Sequence, residues 1–408
     1  MSALPCATAA RLATWAPVTS TEAKKGLPGQ IVLAFQGGGA LNAYQGGVYQ
    51  ALHEAGIEPD WVIGTSSGAI NAGLIAGNPP EKRVERMREF WTSMEYRPWW
   101  EDSPFSSLFS QWPLAAQFAN RAAHVSAFLG GVPGYYRPNP AFALGPAAPV
   151  GVERASLYTT DQLKKTMTRL TDPAWFNSCA PRLTVSTVNV KTGRMHYWDS
   201  ARMPLSLTHV LASAALPISF PAVRIDGDPY WDGGIYSNTP IEAVFDDIPR
   251  RDSVVFADQM WHSSGPEPQS FLDVLSREKD IQFASRDAAY ITRQQDLHRL
   301  RHVIRELVAE MPAEKRETQE VKDLAAWGCK TFMHIVRLNA PYIDGEGNSR
   351  DFDFTREGIR VRWGAGYDDT RRVLAERPWE SEVDPMSGVA VYDSKPAHLT
   401  FSAAHAAT

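Results

Sequence analysis

Cysteine is scarce in this sequence, which has only Cys6, Cys179 and Cys329 in 408 residues. An odd number of widely spaced cysteines does not fit a disulfide framework and is typical of proteins kept in a reducing compartment. We therefore expect a cytoplasmic protein that is stabilised by its hydrophobic core. With 44% apolar residues, the chain can bury one large α/β core or two smaller ones.

Long hydrophobic runs and an excess of positive charge are also missing. No apolar run approaches the roughly 20 residues that a membrane-spanning helix needs. The formal net charge of −5 argues against nucleic acid as the main partner. Residues 1–30 lack the basic start and apolar stretch of a secretory signal, and we interpret them as a mobile leader. Aspartate and histidine show no metal-ligand spacing and no calcium loop is present, so we expect no metal and no cofactor.

The first informative segment is a strand that ends in glycines. Residues 31–35 form a continuous apolar run, which suits a parallel strand covered on both faces. Three glycines follow it: Gly37, Gly38 and Gly39. A helical pattern comes next, so the glycine N–H groups would lie at a helix N-terminus, which favours a phosphate or an oxyanion. A dinucleotide-binding loop is disfavoured, because its G-x-G-x-x-G pattern requires glycine where this chain has Asn42.

The second segment, Gly64-Thr65-Ser66-Ser67-Gly68, matches the G-x-S-x-G pattern of a nucleophile elbow. Residues 60–63 are typical of a short strand and residues 69–76 of a helix, which places the segment on a tight strand-to-helix turn. Gly64 and Gly68 flank this turn because side chains there would collide. We predict that Ser66 is the nucleophile and that Ser67 points elsewhere.

The third segment is Asp232-Gly233-Gly234, a sequence that by itself usually marks a turn. Together with the first two segments, in this order, it makes the chain similar to the patatin-like phospholipases over about residues 31–338. The resemblance implies a three-layer α/β/α sheet with helices on both faces. It also implies a Ser66–Asp232 catalytic dyad without histidine, with Gly233 and Gly234 in the base motif and an oxyanion hole at Gly37, Gly38 and Gly39.

The chain departs from this family's pattern at two positions of the glycine loop. The family commonly has a basic residue and then glycine, whereas this chain has Leu41 and Asn42. Asparagine is the non-glycine residue that best tolerates a positive φ, so we expect the turn to survive. Loss of the basic side chain leaves stabilisation of an oxyanion to the backbone donors.

The rival serine-hydrolase interpretation is an α/β-hydrolase, which requires a histidine after the acidic residue. Four histidines follow Asp232: His262, His298, His302 and His334. None lies in a segment with a strong turn signal, so we interpret them as surface or core residues and assign the base to Asp232.

The chain is predicted to have one hydrolase domain and a C-terminal extension. The domain covers residues 31–338, and its aromatic-rich insertion at 95–150 is either a lid over the active site or local core. Residues 339–408 form a helical extension and tail, with Thr355 as a helix N-cap and irregular structure after Pro378. An arginine-rich helix face with Arg293, Arg299, Arg301 and Arg305 is expected to be solvated, or else to dock on anionic lipid.

These features predict a serine acyl hydrolase of the lipase or phospholipase A type. Its partner would be a lipid or acyl-ester substrate, met in the cytoplasm or at a membrane or lipid-droplet surface. Two alternatives remain open: a catalytically silent lipid-binding or scaffold protein of the same fold, and an intracellular polyester depolymerase.

Overall fold

A computed structural model describes residues 26–96, 130–178, 180–344, 350–394 and 399–400. The strands in chain order are β1 (Gln30–Phe35), β2 (Trp61–Gly64), β3 (Arg137–Pro138), β4 (Tyr158–Thr159), β5 (Arg182–Asn189), β6 (Met195–Asp199), β7 (Val223–Ile225), β8 (Asp228–Asp232), β9 (Ser253–Gln259), β10 (Met333–Asn339), β11 (Ile343–Asp344), β12 (Val389–Asp393) and β13 (Leu399–Thr400). The helices are α1 (Ala43–Glu54), α2 (Ser67–Ala76), α3 (Pro80–Ser93), α4 (Asp161–Leu170), α5 (Pro173–Phe176), α6 (Leu207–Ser213), α7 (Glu242–Phe245), α8 (Phe271–Glu310), α9 (Ala313–Arg316), α10 (Gln319–Ala325) and α11 (Arg356–Glu376).

A mixed sheet carries the fold and brings the three glycine-containing segments together. Within the described residues, nine strands form this sheet in the order β12-β10-β9-β1-β2-β5-β8-β7, with β6 also paired to β5. The six strands from β12 to β5 run parallel, whereas β6, β7 and β8 add antiparallel pairs. Phe35 pairs with Gly64, and Asp232 pairs with Thr187 of β5. The glycine loop, the elbow and the end of β8 therefore lie together, next to the C-terminal ends of the parallel strands.

Helices cover both faces of this sheet, as the side chains of β1 show. Ile31, Leu33 and Phe35 belong to one buried cluster, and Val32 and Ala34 to another, because successive strand residues point to opposite faces. The first cluster includes apolar residues of α1, α2, α3 and α11, and the second includes residues of α7 and α8. The predicted three-layer α/β/α fold is thus confirmed.

The region after residue 338 contributes to the same sheet and core. β12 pairs in parallel with β10, so residues 389–393 are ordered strand and the prediction of irregular structure after Pro378 is wrong there. The sequence does not indicate β12 clearly, because only one of its five residues is fully buried and the strand therefore lacks a strong hydrophobic pattern. Thr355 caps α11 as predicted, its Oγ1 accepting from the Gly358 N–H at 3.1 Å.

The predicted aromatic insertion falls largely on residues 97–129, which lie outside the described part of the chain. Within its described part, Tyr135 and Tyr136 are buried and pack against Phe220, with ring centroids 5.5 and 5.4 Å from that ring. These rings form local core beside the end of β8. Among the described helices, none combines the length and apolar content required to cross a bilayer.

Candidate active site

Ser66 lies on a strained turn between β2 and α2. Its φ of 59° and ψ of −131° place a non-glycine residue in a rarely occupied backbone region. A Cβ at Gly64 would lie 2.4 Å from the Gly68 carbonyl oxygen, and one at Gly68 would lie 2.4 Å from the Phe35 carbonyl oxygen. Both glycines are therefore needed for the close approach of strand and helix, as the sequence predicted.

Ser213, at the end of α6, holds this turn from outside the motif. The Ser66 N–H donates to its Oγ at 3.2 Å, and Ser213 is fully buried. The backbone at the strained residue is thus fixed by a side chain 147 positions away. The sequence motifs did not indicate this residue, because it lies outside all three of them.

Asp232 ends β8 and faces the nucleophile turn. Its side chain is only 1% exposed, and Oδ1 accepts from the Gly234 N–H at 2.7 Å. A Cβ at Gly233 would lie 2.3 Å from Ser186 Oγ, so glycine is required there for the turn to pack against β5. The base motif therefore places a carboxylate in the protein interior with one oxygen held by the backbone.

The other oxygen of Asp232 determines its chemistry. Burial raises the pKa of Asp232 to about 7, while hydrogen bonding from the Ser66 hydroxyl and the Gly234 N–H oppose this rise. Within the described residues, Oδ2 is buried without a hydrogen bond of ordinary geometry. The structure thus brings Ser66 and Asp232 together and leaves Oδ2 available to a proton.

The glycine loop lies directly over Ser66. A Cβ at Gly37 would lie 2.7 Å from Ser66 Cβ, so only glycine fits there. The Gly37 N–H makes a long 3.4 Å hydrogen bond to the Asn238 carbonyl oxygen. The Gly38 and Gly39 N–H groups both donate to Ser67 Oγ, at 3.2 and 2.8 Å. Ser67 Oγ therefore occupies two of the predicted oxyanion donors.

Asn42 compensates for its departure from the family pattern by a route that the sequence did not suggest. Its φ is −74°, so tolerance of a positive φ is not the reason for its presence, and Gly39 takes the positive φ of +58° instead. Asn42 Nδ2 donates to the Gln36 carbonyl oxygen at 2.8 Å and to Ser67 Oγ at 2.7 Å. The asparagine side chain thus ties the glycine loop to the nucleophile helix.

A buried polar network anchors the start of the same loop. Asp258, near the end of β9, accepts from the Gln36 N–H at 3.1 Å through Oδ1 and from Gln45 Nε2 at 3.0 Å through Oδ2. The Gly37 carbonyl oxygen accepts from Asn238 Nδ2 at 2.9 Å and Trp261 Nε1 at 2.8 Å. Satisfied networks of this kind hold backbone groups rigidly, which an oxyanion site requires.

The histidines predicted to be structural lie away from the dyad. None of the described histidines hydrogen-bonds Ser66 or Asp232. The ring of His262 lies 4.4 Å from that of Tyr342, and His334 bonds the Tyr392 hydroxyl at 3.0 Å. Searching the described ranges for three or more clustered His, Cys, Asp or Glu residues that could hold a metal ion finds no such group.

Comparisons with known proteins identify relatives of this chain. A family model described as patatin-like phospholipase matches residues 33–245, which contain all three segments, and a patatin phospholipase model matches residues 281–386. A patatin-like phospholipase domain-containing protein of Caenorhabditis elegans is 42% identical over 62 residues, which is 15% of this chain and 6% of that protein. The chain thus matches a small fraction of that relative's length.

Two solved structures resemble the chain at lower identity. VipD from Legionella pneumophila is 15% identical with a TM-score of 0.37, covering 85% of this chain and 67% of that one. ExoU, in the ExoU–SpcU complex from the type III secretion system of Pseudomonas aeruginosa, is 13% identical with a TM-score of 0.24, covering 88% and 74%. Because the first family model spans just over half of the 408 residues, the chain belongs to the patatin-like phospholipase family.

Proposed function

We propose that this protein is a serine acyl hydrolase that cleaves carboxylic esters of lipids through an acyl-enzyme on Ser66. The observation that carries the proposal is the environment of Asp232, a buried carboxyl whose pKa is raised to about 7 beside the Ser66 hydroxyl. A carboxyl with a pKa near working pH both takes and returns a proton, whereas an ordinary aspartate is too weak a base.

The proposed reaction has two displacement steps. Ser66 Oγ attacks the ester carbonyl carbon while its proton passes to Asp232, and the carbonyl oxygen becomes negative. Collapse of this intermediate expels the alcohol, which leaves with the proton from Asp232. Water then gives a proton to Asp232 and attacks the acyl carbon. The second collapse releases the carboxylic acid, and the proton returns to Ser66 Oγ.

Backbone donors of the glycine loop would stabilise the oxyanion. Gly37 has the most available N–H, because its present hydrogen bond is long at 3.4 Å. Gly38 and Gly39 now donate to the neutral hydroxyl of Ser67. An oxyanion is a stronger acceptor than a hydroxyl, so we propose that it takes these donors over from Ser67 during the reaction.

The aromatic core beside Asp232 supports the proposal of an apolar substrate. Burial raises the pKa of Tyr135, and the nearby carboxylate of Asp232 raises it further. Its ring packs against Phe220 and Phe354, with centroids 5.5 and 5.8 Å away. This buried packing keeps water from one side of Asp232, which fits an apolar substrate and the lipid substrates of the family. We propose that the enzyme meets this substrate at a membrane or lipid-droplet surface of the cytoplasm.

Two substitutions test the proposal. Ser66→Ala removes the nucleophile and Asp232→Asn removes the base, so each is expected to abolish hydrolysis of a p-nitrophenyl acyl ester. Asp228→Asn is a matched control in the same strand, because its carboxylate is about half exposed and forms a surface ion pair with Lys191 at 2.7 Å. All three proteins would be checked for native circular dichroism. Near-normal turnover by folded Ser66→Ala or Asp232→Asn protein would refute the dyad, and no turnover by the wild type on any acyl ester would favour a silent lipid-binding protein.

A further inference from the structure

A second cluster of polar side chains lies at the end of the parallel strands that is opposite to Ser66. Arg250 precedes β9, and His298, Arg301 and His302 lie on α8; we call these four residues the basic cluster. They are close to the starts of β10 and β12, since His302 contacts Thr331 and a Cβ at Gly388 would lie 3.1 Å from His298 Cβ. β9, β10 and β12 run parallel with β1, so the basic cluster lies at their N-terminal ends and the nucleophile at the C-terminal ends.

The basic cluster contains buried donors that the protein leaves unused. His298 is 0% exposed, and neither of its ring nitrogens has a hydrogen-bond partner. Arg250 Nε and Arg301 Nη1 are likewise buried without partners. Among the described residues, neither arginine forms an ion pair with a carboxylate. Unpartnered buried polar groups cost free energy, so four such nitrogens in one place require an explanation.

The charges of the basic cluster repel one another. Burial lowers the pKa of His298 to about 4, and the positive charges of Arg301 and Arg250 lower it in the same direction. Burial and the charge of Arg250 also lower the pKa of Arg301. Both ring nitrogens of His302 lie 2.9 Å from carbonyl oxygens, those of Pro385 and Thr331.

Only partial compensation comes from the surroundings. Asp246 attracts Arg301 but is itself exposed. The two guanidinium groups therefore retain a net positive charge.

We propose that the basic cluster is an anion-binding site for a phosphate group. Guanidinium N–H groups match the oxygens of phosphate, and a dianion balances the remaining positive charge better than a carboxylate does. His298 is buried, whereas Arg250 and Arg301 are partly exposed and so can be reached from solvent. The sequence predicted a solvated helix face that includes Arg301. Arg301 is instead partly buried, whereas its neighbour Arg299 is exposed. The phosphate is either free in solution or the headgroup of an anionic lipid.

Thermal unfolding of the full chain in inorganic phosphate tests the site, with Arg301→Gln as the variant and Arg299→Gln as the matched control. We expect phosphate to raise the Tm of the wild type and of Arg299→Gln in a concentration-dependent way. Arg301→Gln should lose most of that shift. In phosphate-free buffer it should be at least as stable as the wild type, because the substitution removes a repulsive charge. Calorimetric titration should show phosphate affinity reduced about ten-fold or more in Arg301→Gln.

Vesicles distinguish the two sources of phosphate. Co-sedimentation with phosphatidylcholine vesicles containing phosphatidic acid, but not with phosphatidylcholine alone, would identify a lipid headgroup if it is lost in Arg301→Gln. Binding of inorganic phosphate without such co-sedimentation would identify a soluble phosphate. The proposal is overturned if phosphate gives the wild type neither a Tm shift nor heat, or if Arg301→Gln responds as strongly as Arg299→Gln. Neither outcome depends on ester hydrolysis.

Discussion

Asp232 is a carboxyl group that the fold removes from water, and among the described residues no cation lowers its pKa. The groups that oppose the rise of its pKa are neutral donors, the Ser66 hydroxyl and the Gly234 N–H. Burial therefore dominates, and the pKa reaches about 7. The Asp-Gly-Gly sequence indicated the position of the base, but not this pKa, because the residues that bury it are distant in the chain. Tyr135 and Ala215, whose carbonyl oxygen accepts from the Asp232 N–H at 3.0 Å, are two of them.

The raised pKa of Asp232 predicts how activity depends on pH. The base accepts the Ser66 proton only when it is ionised, so kcat/KM should rise with pH and level off above about 7. Initial rates on a soluble acyl ester across the neutral range, with Asp228→Asn as control, measure this profile. A profile that is flat from acid to neutral pH, or that falls as Asp232 ionises, would contradict the assignment.

The nucleophile turn shows which parts of an element are encoded locally. Together with the patterns of residues 60–63 and 69–76, Gly64, Ser66 and Gly68 predict a strand, a tight turn and a helix, since the steric reason for each glycine lies within the motif and the neighbouring strand. The elements that hold the turn are not local. Ser213 of α6 accepts from the Ser66 N–H and Asp258 of β9 accepts from the Gln36 N–H, and these partners are 147 and 222 positions apart in the chain.

A pair of glycine substitutions in helices tests this account of the turn. In Gly68→Ala the new Cβ would lie 2.4 Å from the Phe35 carbonyl oxygen, so we expect a loss of about 1–3 kcal/mol or more in unfolding free energy, together with lower activity. In Gly364→Ala, within α11, nothing lies within 4 Å of the Cβ, so alanine should stabilise the protein by up to about 1 kcal/mol. Urea unfolding measures both, and equal effects of the two substitutions would contradict the close-approach argument.

At the scale of the whole molecule, the region that carries the three motifs packs against the C-terminal region through the contact between α1 and α11. Tyr44 donates to Asp369 Oδ2 at 2.8 Å, and Trp363 Nε1 donates to Gln50 Oε1 at 2.7 Å. The segment before α11 also contacts the active site, because a Cβ at Gly39 would lie 2.3 Å from the Asp351 carbonyl oxygen. Helical periodicity predicted α11 and its cap, but the sequence alone could not show that this helix covers α1.

Truncation tests whether the C-terminal region is separable. A chain ending at residue 338 would expose the face of α1 that α11 covers and the edge of β10 that β12 covers. We therefore expect it to be insoluble or partly unfolded and to lack esterase activity, with the full chain as control. Circular dichroism and a cooperative thermal transition are the measurements. A soluble, cooperatively unfolding and active truncated protein would instead support the domain boundary predicted from the sequence.

Labelling with a fluorophosphonate, followed by peptide mapping, tests the central claim most directly, because the reagent reacts with a serine activated by a neighbouring base. The account predicts one covalent adduct on Ser66, absent in Ser66→Ala and strongly reduced in Asp232→Asn. It also predicts labelling that becomes faster as pH rises toward about 7. An unlabelled native protein, or an adduct that maps to another residue and persists in Ser66→Ala, would contradict it.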